Sequence, residues 1–301
     1  MKIARYWKAE ENKVVRCELC PHGCRIVEGG IGRCHVRWNR KGVLISTAWG
    51  QPVAMQVDPI EKKPLNHFLP GTEVLSLGTL GCNLSCRFCQ NWELSHPDGR
   101  RVPSGGLMKP ETVAQMAAER NLPSVAATYN EPAVWAEYAM DIADACHERG
   151  IRMVAVTSGY FAEASRLDFF RKMDAVNVDL KSFRDDFYRR LCGARLAPVL
   201  ETLEAIRKET ECWLEVSTLL IPGENDSDEE VDELTAWVAE RLGPATPLHL
   251  NAFRPAGEML GTPGTPVGVI ERARERARAN GLWFVYAGNV GGVEGGTVCP
   301  G

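Results

Sequence analysis

The segment Gly81-Cys82-Asn83-Leu84-Ser85-Cys86-Arg87-Phe88-Cys89-Gln90 directly follows an apolar, strand-like run at residues 74–80. Its cysteines Cys82, Cys86 and Cys89 have the spacing C-x3-C-x2-C. A structural zinc ion takes four protein ligands, so three thiolates are one too few to close such a site. An iron-sulfur cube held by three thiolates keeps one iron open for another ligand. The spacing therefore predicts a [4Fe-4S] cluster with an open iron.

The alternative for this segment is a zinc knuckle that a distant ligand such as His96 completes. Zinc knuckles usually pair two short units of closely spaced cysteines, whereas this segment is a single unit. The spacing therefore favours the cluster.

The composition is that of an ordinary globular protein. Of the 301 residues, 45% are apolar and 25% are charged, which excludes collagen-like, fibrous and disordered classes. The formal net charge is -4, so no sequence-wide basic field exists to attract a polyanion. We therefore do not expect nucleic acid as a partner. The length suits one large α/β domain and a smaller module.

The beginning of the chain and its cysteine content bear on the compartment. Residues 1–13 are polar, and no window approaches about 18 consecutive apolar residues, so neither a secretion signal nor a membrane span is predicted. Eleven cysteines in such a chain indicate metal ligands and buried thiols rather than disulfides, because reducing compartments keep thiols free. We expect a cytoplasmic protein that does not bind membranes.

From about residue 74 onward, strand-like apolar runs alternate with amphipathic helical stretches. Strands are predicted at residues 74–80, 124–129, 152–157, 175–180, 213–221, 248–253 and 282–286. Helices are predicted at residues 111–121, 133–149, 162–172, 198–208, 227–241 and 266–280. This alternation predicts an α/β fold with a parallel sheet. Six or seven units, short of the eight that close a barrel, predict a partial parallel (β/α)6-type barrel.

A boundary near residues 69–73 divides the chain into an N-terminal cysteine-rich module, residues 1–72, and the barrel, residues 73–301. Four thiols separated by tight turns in the first part predict a second metal site. Structural zinc and a second iron-sulfur cluster both stay open, since four thiolates hold either, and four free buried thiols are a further alternative. The four residues are Cys17, Cys20, Cys24 and Cys34, whereas Cys146, Cys192 and Cys212 are predicted to be buried thiols.

Polar clusters follow the predicted strands. Active sites of βα barrels gather at the carboxyl ends of strands, and the cysteine segment follows the first of them. Thr128-Tyr129-Asn130-Glu131-Pro132 follows the second strand, Thr157-Ser158-Gly159-Tyr160 the third and Asp179-Leu180-Lys181 the fourth. We therefore expect these loops to converge on one face of the barrel.

The cysteine segment, with Phe88 before its third cysteine, resembles the signature of radical S-adenosylmethionine (SAM) enzymes. Nearly the whole chain, residues 14–299, resembles the radical SAM component of the AmmeMemoRadiSam system, a group similar to pyruvate formate-lyase activating enzymes. The matching segments are residues 17–34, 58–65, 67–71, 81–82, 89–93, 129–132, 177–181 and 288–290.

The resemblance implies that the cluster passes an electron to bound SAM, which breaks the C5'-S bond and gives a 5'-deoxyadenosyl radical that abstracts hydrogen. The implied partners are SAM, an electron donor such as flavodoxin or ferredoxin, and a protein substrate. Two downstream reactions stay open, namely the installation of a glycyl radical on a partner protein and the modification of another peptide or small molecule. A zinc-binding scaffold without turnover is the alternative from a different class.

The resemblance also implies where SAM binds. Glu131 can accept a hydrogen bond from the amine of SAM, and Lys181 can pair with its carboxylate, as charge-assisted hydrogen bonds in a shielded pocket. The segment Tyr129-Asn130-Glu131-Pro132 stands where other superfamily members have a Gly-Gly-Glu motif that binds the amine, so Asn130 joins Glu131. Ser158 and Asp179 complete the predicted cofactor contacts.

Three positions depart from the group that the chain resembles. Val156 stands where activating enzymes of glycyl radical proteins have an acidic residue, and Arg254 stands where the group usually has histidine. An arginine cannot exchange protons as histidine can, so no acid-base role is predicted for Arg254. Cys299 lacks the paired thiol that relatives tend to have, so no metal is assigned to it.

Overall fold

Two small antiparallel sheets form the N-terminal part of the computed structural model, which describes residues 2–97, 106–291 and 297. Their strands are β1 (Lys2–Ile3), β2 (Trp7–Ala9), β3 (Val15–Cys17), β4 (Arg25–Ile26), β5 (Arg37–Arg40) and β6 (Val43–Ser46). One sheet has the strand order β1-β6-β5 and the other β2-β3-β4. Cys299 lies outside the described residues.

The main sheet has eight strands, in the order β14-β13-β12-β11-β10-β9-β8-β7. They are β7 (Ala54–Pro59), β8 (Glu73–Gly78), β9 (Ser124–Ala127), β10 (Arg152–Thr157), β11 (Ala175–Asp179), β12 (Trp213–Leu220), β13 (Leu248–Ala252) and β14 (Val285–Gly288). Strands β8 to β14 are parallel, and β7 pairs antiparallel with β8. This arrangement confirms the predicted α/β class and the partial parallel barrel.

Helices connect the parallel strands. They are α1 (Trp92–Ser95), α2 (Pro110–Glu119), α3 (Ala136–His147), α4 (Glu163–Phe170), α5 (Asp185–Phe187), α6 (Ala197–Glu209), α7 (Asp228–Trp237) and α8 (Val267–Ala279). Six of the helices, α2, α3, α4, α6, α7 and α8, lie where the amphipathic periods predicted them, whereas the short helices α1 and α5 were not predicted. Shorter 3-10 turns cover Glu11–Lys13, Ile60–Lys62 and Pro132–Trp135, and π-helical turns cover Tyr188–Cys192 and Val238–Leu242. Ser227 caps α7 by accepting a hydrogen bond from the amide of Glu230, as the capping sequence predicts.

One hydrophobic core joins the N-terminal sheets to the barrel. Val15 and Leu44 from the small sheets are fully buried. They belong to the same hydrophobic cluster as Trp135, which precedes α3, and Tyr138, which lies on α3. The strands of the barrel contribute near-continuous apolar runs, which is the pattern expected when helices cover a parallel sheet. The N-terminal part therefore rests on the barrel through apolar contacts.

Strand β7 is the strand of the main sheet that the sequence analysis missed. Its side chains are mostly half-buried, because it lies at a sheet edge, and no apolar run marks it. It pairs with β8 along its whole length, from Ala54 opposite Gly78 to Pro59 opposite Glu73. The main sheet thus begins before residues 69–73, and the division into residues 1–72 and 73–301 stays a prediction.

The connector between β7 and β8 is anchored inside the barrel. Its residues Ile60 and Leu65 are fully buried against β8 to β11. The buried Glu215 carboxylate on β12 accepts hydrogen bonds from the amides of Asn66 and His67, at 3.0 and 2.8 Å. It also accepts one from the imidazole of His249, at 2.6 Å.

His67 makes the stability of this region dependent on pH. Burial lowers the pKa of His67, although the Glu215 carboxylate opposes the shift. In the unfolded chain His67 is protonated below about pH 6.5, whereas in the folded protein protonation requires a lower pH. The stability that neutral His67 contributes is therefore present above that pH and is lost as the pH falls through the folded pKa.

We expect the thermal unfolding temperature of the wild type to fall more between pH 7.5 and 5.5 than that of His67→Gln. The effect is at most about 1.4 kcal/mol for each unit by which the pKa is lowered. Scanning calorimetry of both proteins in the same buffers measures it. An equal pH dependence of the two proteins would contradict this interpretation of His67.

Candidate active site

The cysteine loop lies between β8 and α1, at the carboxyl end of the sheet. Cys86 is buried, and Cys82 and Cys89 are half-buried. Burial raises the pKa of the Cys82 and Cys89 thiols, so both are harder to ionise than a free cysteine. The amide of Leu84 donates to Cys82 Sγ at 3.4 Å, which favours the thiolate form needed for metal binding.

The three cysteines line a cavity of about 600 Å³ at the carboxyl ends of the parallel strands. This volume is within the range of about 300–1,000 Å³ that small-molecule sites occupy. All five residues predicted to contact the cofactor line the same cavity, and so does Val156. The five residues are Asn130, Glu131, Ser158, Asp179 and Lys181. The loops thus converge as the sequence predicted.

Glu131 is held rigidly at the cavity wall. Its side chain is 3% exposed, and Oε1 accepts hydrogen bonds from the amide of Ala133 at 3.0 Å and from Thr157 Oγ1 at 2.5 Å. Its second oxygen, Oε2, accepts from the amide of Ser158 at 2.8 Å. A carboxylate oxygen can accept two hydrogen bonds, so Oε2 retains capacity for one more donor.

Ser158 also lines the cavity, and its hydroxyl lacks a partner. Ser158 is 5% exposed, and its buried hydroxyl has no hydrogen-bond partner among the described residues. A buried polar group without a partner is costly, so the hydroxyl is suited to a ligand in the cavity.

Asn130 is occupied by hydrogen bonds within the protein. Its Nδ2 donates to Gly81 O at 2.7 Å and to Thr79 Oγ1 at 3.2 Å. Its Oδ1 accepts from the amide of Thr79 at 3.1 Å and from Trp135 Nε1 at 3.2 Å. These four bonds use the capacity of the amide, so the geometry favours a positioning role for Asn130 over the direct cofactor contact that the sequence suggested.

Asp179 and Lys181 form an ion pair, with Oδ2 and Nζ 2.8 Å apart. Burial alone lowers the pKa of Lys181, but Asp179 and the sulfur atoms of Cys86 and Cys192 outweigh it and hold that pKa above its usual range. Asp179 thus keeps Lys181 charged and directs it.

Cys192 is a fourth thiol near the cysteine loop that the sequence analysis placed only in the core. It is fully buried and hydrogen-bonds with Cys86, which lowers the pKa of Cys86. Its carbonyl accepts from the amide of Ser85 at 2.8 Å. Cys192 does not line the cavity. No sequence signal marks it, because more than 100 residues separate it from the loop.

The N-terminal cysteines Cys17, Cys20, Cys24 and Cys34 line a second, smaller cavity together. Burial raises the pKa of Cys17, Cys20 and Cys34, that of Cys34 to about 11. These thiols are therefore harder to ionise than a free cysteine. The structure thus brings these four residues together, as the sequence predicted.

The part of the chain around these cysteines also contacts the cysteine loop of the barrel. His22 Nε2 donates to Asn83 O at 2.7 Å, and Arg33 Nη2 donates to Ser85 Oγ at 3.1 Å. The carbonyl of Cys34 lies directly against Gly81. The N-terminal part thus supports the loop that carries Cys82, Cys86 and Cys89.

Gly81 is expected to be indispensable at this contact. Its φ of +89° favours glycine, and an added Cβ would lie 2.3 Å from Cys34 O. Gly81→Ala therefore forces a backbone to move, and we expect a loss of about 2–3 kcal/mol of folding stability together with poor iron retention. Gly150→Ala is the matched control, since Gly150 has a φ of +69° and nothing within 4 Å of the added Cβ.

The control should lose only about 1 kcal/mol and keep its iron. Chemical denaturation and iron analysis after anaerobic reconstitution measure both quantities. Equal behaviour of the two variants would show that the contact with Cys34 does not matter.

The residues present fit a cube better than a single ion. Within the described ranges, no three His, Cys, Asp or Glu side chains are already placed around one metal ion. A cube binds each thiolate through a different iron, so its three cysteines need not converge on one point. Zinc at the N-terminal cysteines would require the sulfur atoms to close in further. His96, the alternative fourth ligand, stacks on Trp92 at 4.0 Å and does not line the cavity.

Comparison with known families identifies the class. The model of the Radical SAM superfamily matches residues 77–235, about half of the chain. The chain therefore belongs to the radical SAM superfamily, which supports an enzymatic role and implies a [4Fe-4S] cluster and SAM. The predicted class is thus confirmed. No helix among the described residues has both the length and the apolar character that crossing a membrane requires.

Three relatives illustrate the match. An uncharacterized protein of Methanocaldococcus jannaschii is 40% identical over 296 residues, 98% of this chain and 87% of the relative. The isethionate sulfite-lyase activating enzyme of Oleidesulfovibrio alaskensis is 25% identical over 142 residues, 43% of this chain and 46% of the enzyme. The structure of Streptococcus suis SuiB bound to S-adenosylmethionine has a TM-score of 0.56 at 15% identity, covering 72% of this chain and 52% of SuiB. The likeness to SuiB shows the shared fold.

Proposed function

We propose that Cys82, Cys86 and Cys89 hold a [4Fe-4S] cluster, and that the protein cleaves SAM reductively to begin a hydrogen abstraction. The observation that carries this proposal is the shared cavity. Three cysteines from one loop and polar residues from the next three strand ends line it together. It has the volume of a small-molecule site at the end of the sheet where barrel enzymes bind substrates.

The cluster and SAM, when bound, supply the one-electron cleavage of the C5'-S bond that yields a 5'-deoxyadenosyl radical. The protein binds and orients SAM. Glu131 Oε2 accepts from the amine with its remaining capacity, and the unpartnered Ser158 hydroxyl provides a second polar contact. Lys181 pairs with the carboxylate, and Asp179 directs Lys181. Asn130 positions the cysteine loop through Gly81.

A role as an activating enzyme, which installs a glycyl radical on a protein, is the preferred downstream reaction. The partial similarity to an isethionate sulfite-lyase activating enzyme supports it. Such an enzyme works in the cytoplasm with a reductant such as flavodoxin or ferredoxin. Val156 lines the cavity at the position where activating enzymes have an acidic residue. This difference favours the second candidate reaction, the modification of another peptide or small molecule.

A second metal at Cys17, Cys20, Cys24 and Cys34 is part of this proposal. Four thiols that line one cavity are a ligand set for zinc or for an iron-sulfur cluster, and zinc would require the sulfur atoms to close in further. His22 and Cys34, which line this second cavity, contact the cysteine loop of the barrel. A metal bound there would therefore support that loop.

The test is anaerobic reconstitution with iron and sulfide, reduction with dithionite, and chromatography for 5'-deoxyadenosine. We expect the wild type to form 5'-deoxyadenosine from SAM only when dithionite is present. Metal analysis of anaerobically purified protein accompanies the assay. Roughly two zinc and no iron per chain, without 5'-deoxyadenosine, would support the scaffold instead.

The activating role has its own test. Reconstituted protein, SAM and dithionite are mixed with a candidate glycyl radical protein, and electron paramagnetic resonance is recorded. A doublet signal from the partner is the expected result. SAM cleavage without a doublet for any candidate would favour the second candidate reaction.

A further inference from the structure

A charged cluster lies on the side of the cavity formed by β7. Asp58 and Lys63 line the cavity, and Lys63 Nζ lies 2.8 Å from Asp58 Oδ2. Tyr129 donates its hydroxyl to the same oxygen at 2.9 Å, and its ring lies 4.8 Å from Lys63 Nζ. Tyr129 adopts a φ of +71°, which is uncommon for a residue other than glycine. An unusual backbone thus directs this side chain toward the cluster.

Lys63 is not saturated by this arrangement. Lys63 is 4% exposed, and among the described residues its ammonium group donates one hydrogen bond, to Asp58. An ammonium group has three hydrogens; one bonds to Asp58 and the Tyr129 ring covers a second side, so at least one remains for a group in the cavity. A buried charge retained next to a cavity with unused donors indicates a ligand, since such a charge is costly to bury without function.

The charges around Lys63 bear on the class of ligand that it could bind. Asp58 contributes one negative charge, and the Lys63 and Tyr129 hydrogen bonds overcome its burial and hold its pKa at about 2. Lys62 adds a second positive charge 3.4 Å from Asp58 Oδ1, but its side chain is 67% exposed at the rim. The buried Lys63–Asp58 pair is neutral by itself, and water screens the charge of Lys62 at the rim. One buried ammonium group with an unused donor matches a singly charged carboxylate better than a doubly charged phosphate.

The cluster is separate from the residues assigned to SAM. Lys181 follows β11, whereas Lys63 follows β7, four positions away in the sheet order. Lys181 lies 6.0 Å from the ring of Phe88 in the cysteine loop. The cavity thus contains one lysine near Phe88 of the cysteine loop and a second lysine in the connector after β7, and Asn251 on β13 lines it as well.

We propose that Lys63 forms a substrate subsite that binds a carboxylate group and holds the substrate in the cavity that the cysteines line. This inference rests on the proposed function and adds the chemical class of the substrate. The carboxylate belongs either to a small molecule or to an acidic residue of a peptide. Tyr129 and Asp58 act as positioning residues that hold the ammonium group in place.

The test uses trifluoroacetate as a carboxylate probe, observed by 19F NMR with reconstituted protein and saturating SAM in the absence of reductant. We expect line broadening with the wild type and at least about a tenfold loss of affinity in Lys63→Met. Lys62→Met, which changes the exposed neighbour, should bind within about twofold of the wild type.

Lys63→Met removes the buried counter-charge of Asp58, which destabilises the folded protein. Asp58→Asn/Lys63→Met is therefore the second variant. It removes both charges together and should also lose trifluoroacetate binding while keeping a cooperative thermal transition. Retained binding in this variant would overturn the proposal. Trifluoroacetate binding that appears only when SAM is left out would overturn it too, because the subsite would then belong to SAM.

Competition separates the two sources of the carboxylate. Displacement by glutarate indicates a small-molecule substrate, and displacement by an amidated peptide with one internal glutamate indicates a peptide. The proposed function is tested separately by wild-type 5'-deoxyadenosine formation. Cleavage of SAM without Lys63-dependent binding would reject this inference alone, whereas absence of cleavage would reject the proposed function.

Discussion

Cys86→Ala is expected to reduce 5'-deoxyadenosine formation to below detection and to lower the iron content of the reconstituted protein. Cys86 is the buried member of the three cysteines, and removing it leaves two thiolates for the cube. Cys192→Ala is the matched control, because Cys192 is an equally buried thiol that hydrogen-bonds with Cys86 but does not line the cavity. We expect this control to retain the cluster and to cleave SAM.

The measurements are iron per chain, 5'-deoxyadenosine by chromatography, and electron paramagnetic resonance of the reduced protein with and without SAM. A change in the resonance on adding SAM to both the wild type and Cys192→Ala is expected if one iron is open. If Cys192→Ala loses iron as Cys86→Ala does, Cys192 is a fourth ligand. The cluster would then have no open iron, and the proposed chemistry would fail.

The comparison of these two cysteines shows how far the sequence predicts the site. Cys82, Cys86 and Cys89 lie within eight residues, so their spacing alone indicates a shared ligand. Cys192 reaches the same region through a π-helical turn after α5, which local spacing does not reveal. Its proximity to Cys86 depends on the packing of a distant loop, and only the folded chain shows it.

The same reasoning explains the rest of the cavity. Glu131, Ser158 and Lys181 were predictable because parallel strands end on one face, and the polar residues after each strand therefore meet. Asp58 was not, since it lies on β7, an antiparallel edge strand without a clear apolar pattern. For Lys63, in the connector after β7, the sequence left a place beside the active site and a salt-bridged loop equally open. An edge strand is defined by its pairing with β8, which depends on the register of the folded sheet.

Glu137→Gln is expected to cost about 3–5 kcal/mol of folding stability, because it breaks a buried ion pair between the N-terminal part and the barrel. Glu137 on α3 and Arg37 on β5 are each 1% exposed, with Oε2 and Nη2 2.6 Å apart. Glu137 Oε1 also accepts from the amide of Arg5 at 2.7 Å. Glutamine leaves the guanidinium of Arg37 buried without a counter-charge, which is the costly state.

The control for this effect is Asp141→Asn, one turn further along the same helix. Asp141 pairs with Arg5 at 2.9 Å, but the Arg5 side chain is 48% exposed, so water screens this pair and we expect a loss of at most about 1 kcal/mol. Urea unfolding at equal metal loading compares the two variants. A midpoint shift for Glu137→Gln no larger than that of Asp141→Asn would mean that water reaches Arg37, and the apolar core would then be the main link between the N-terminal sheets and the barrel.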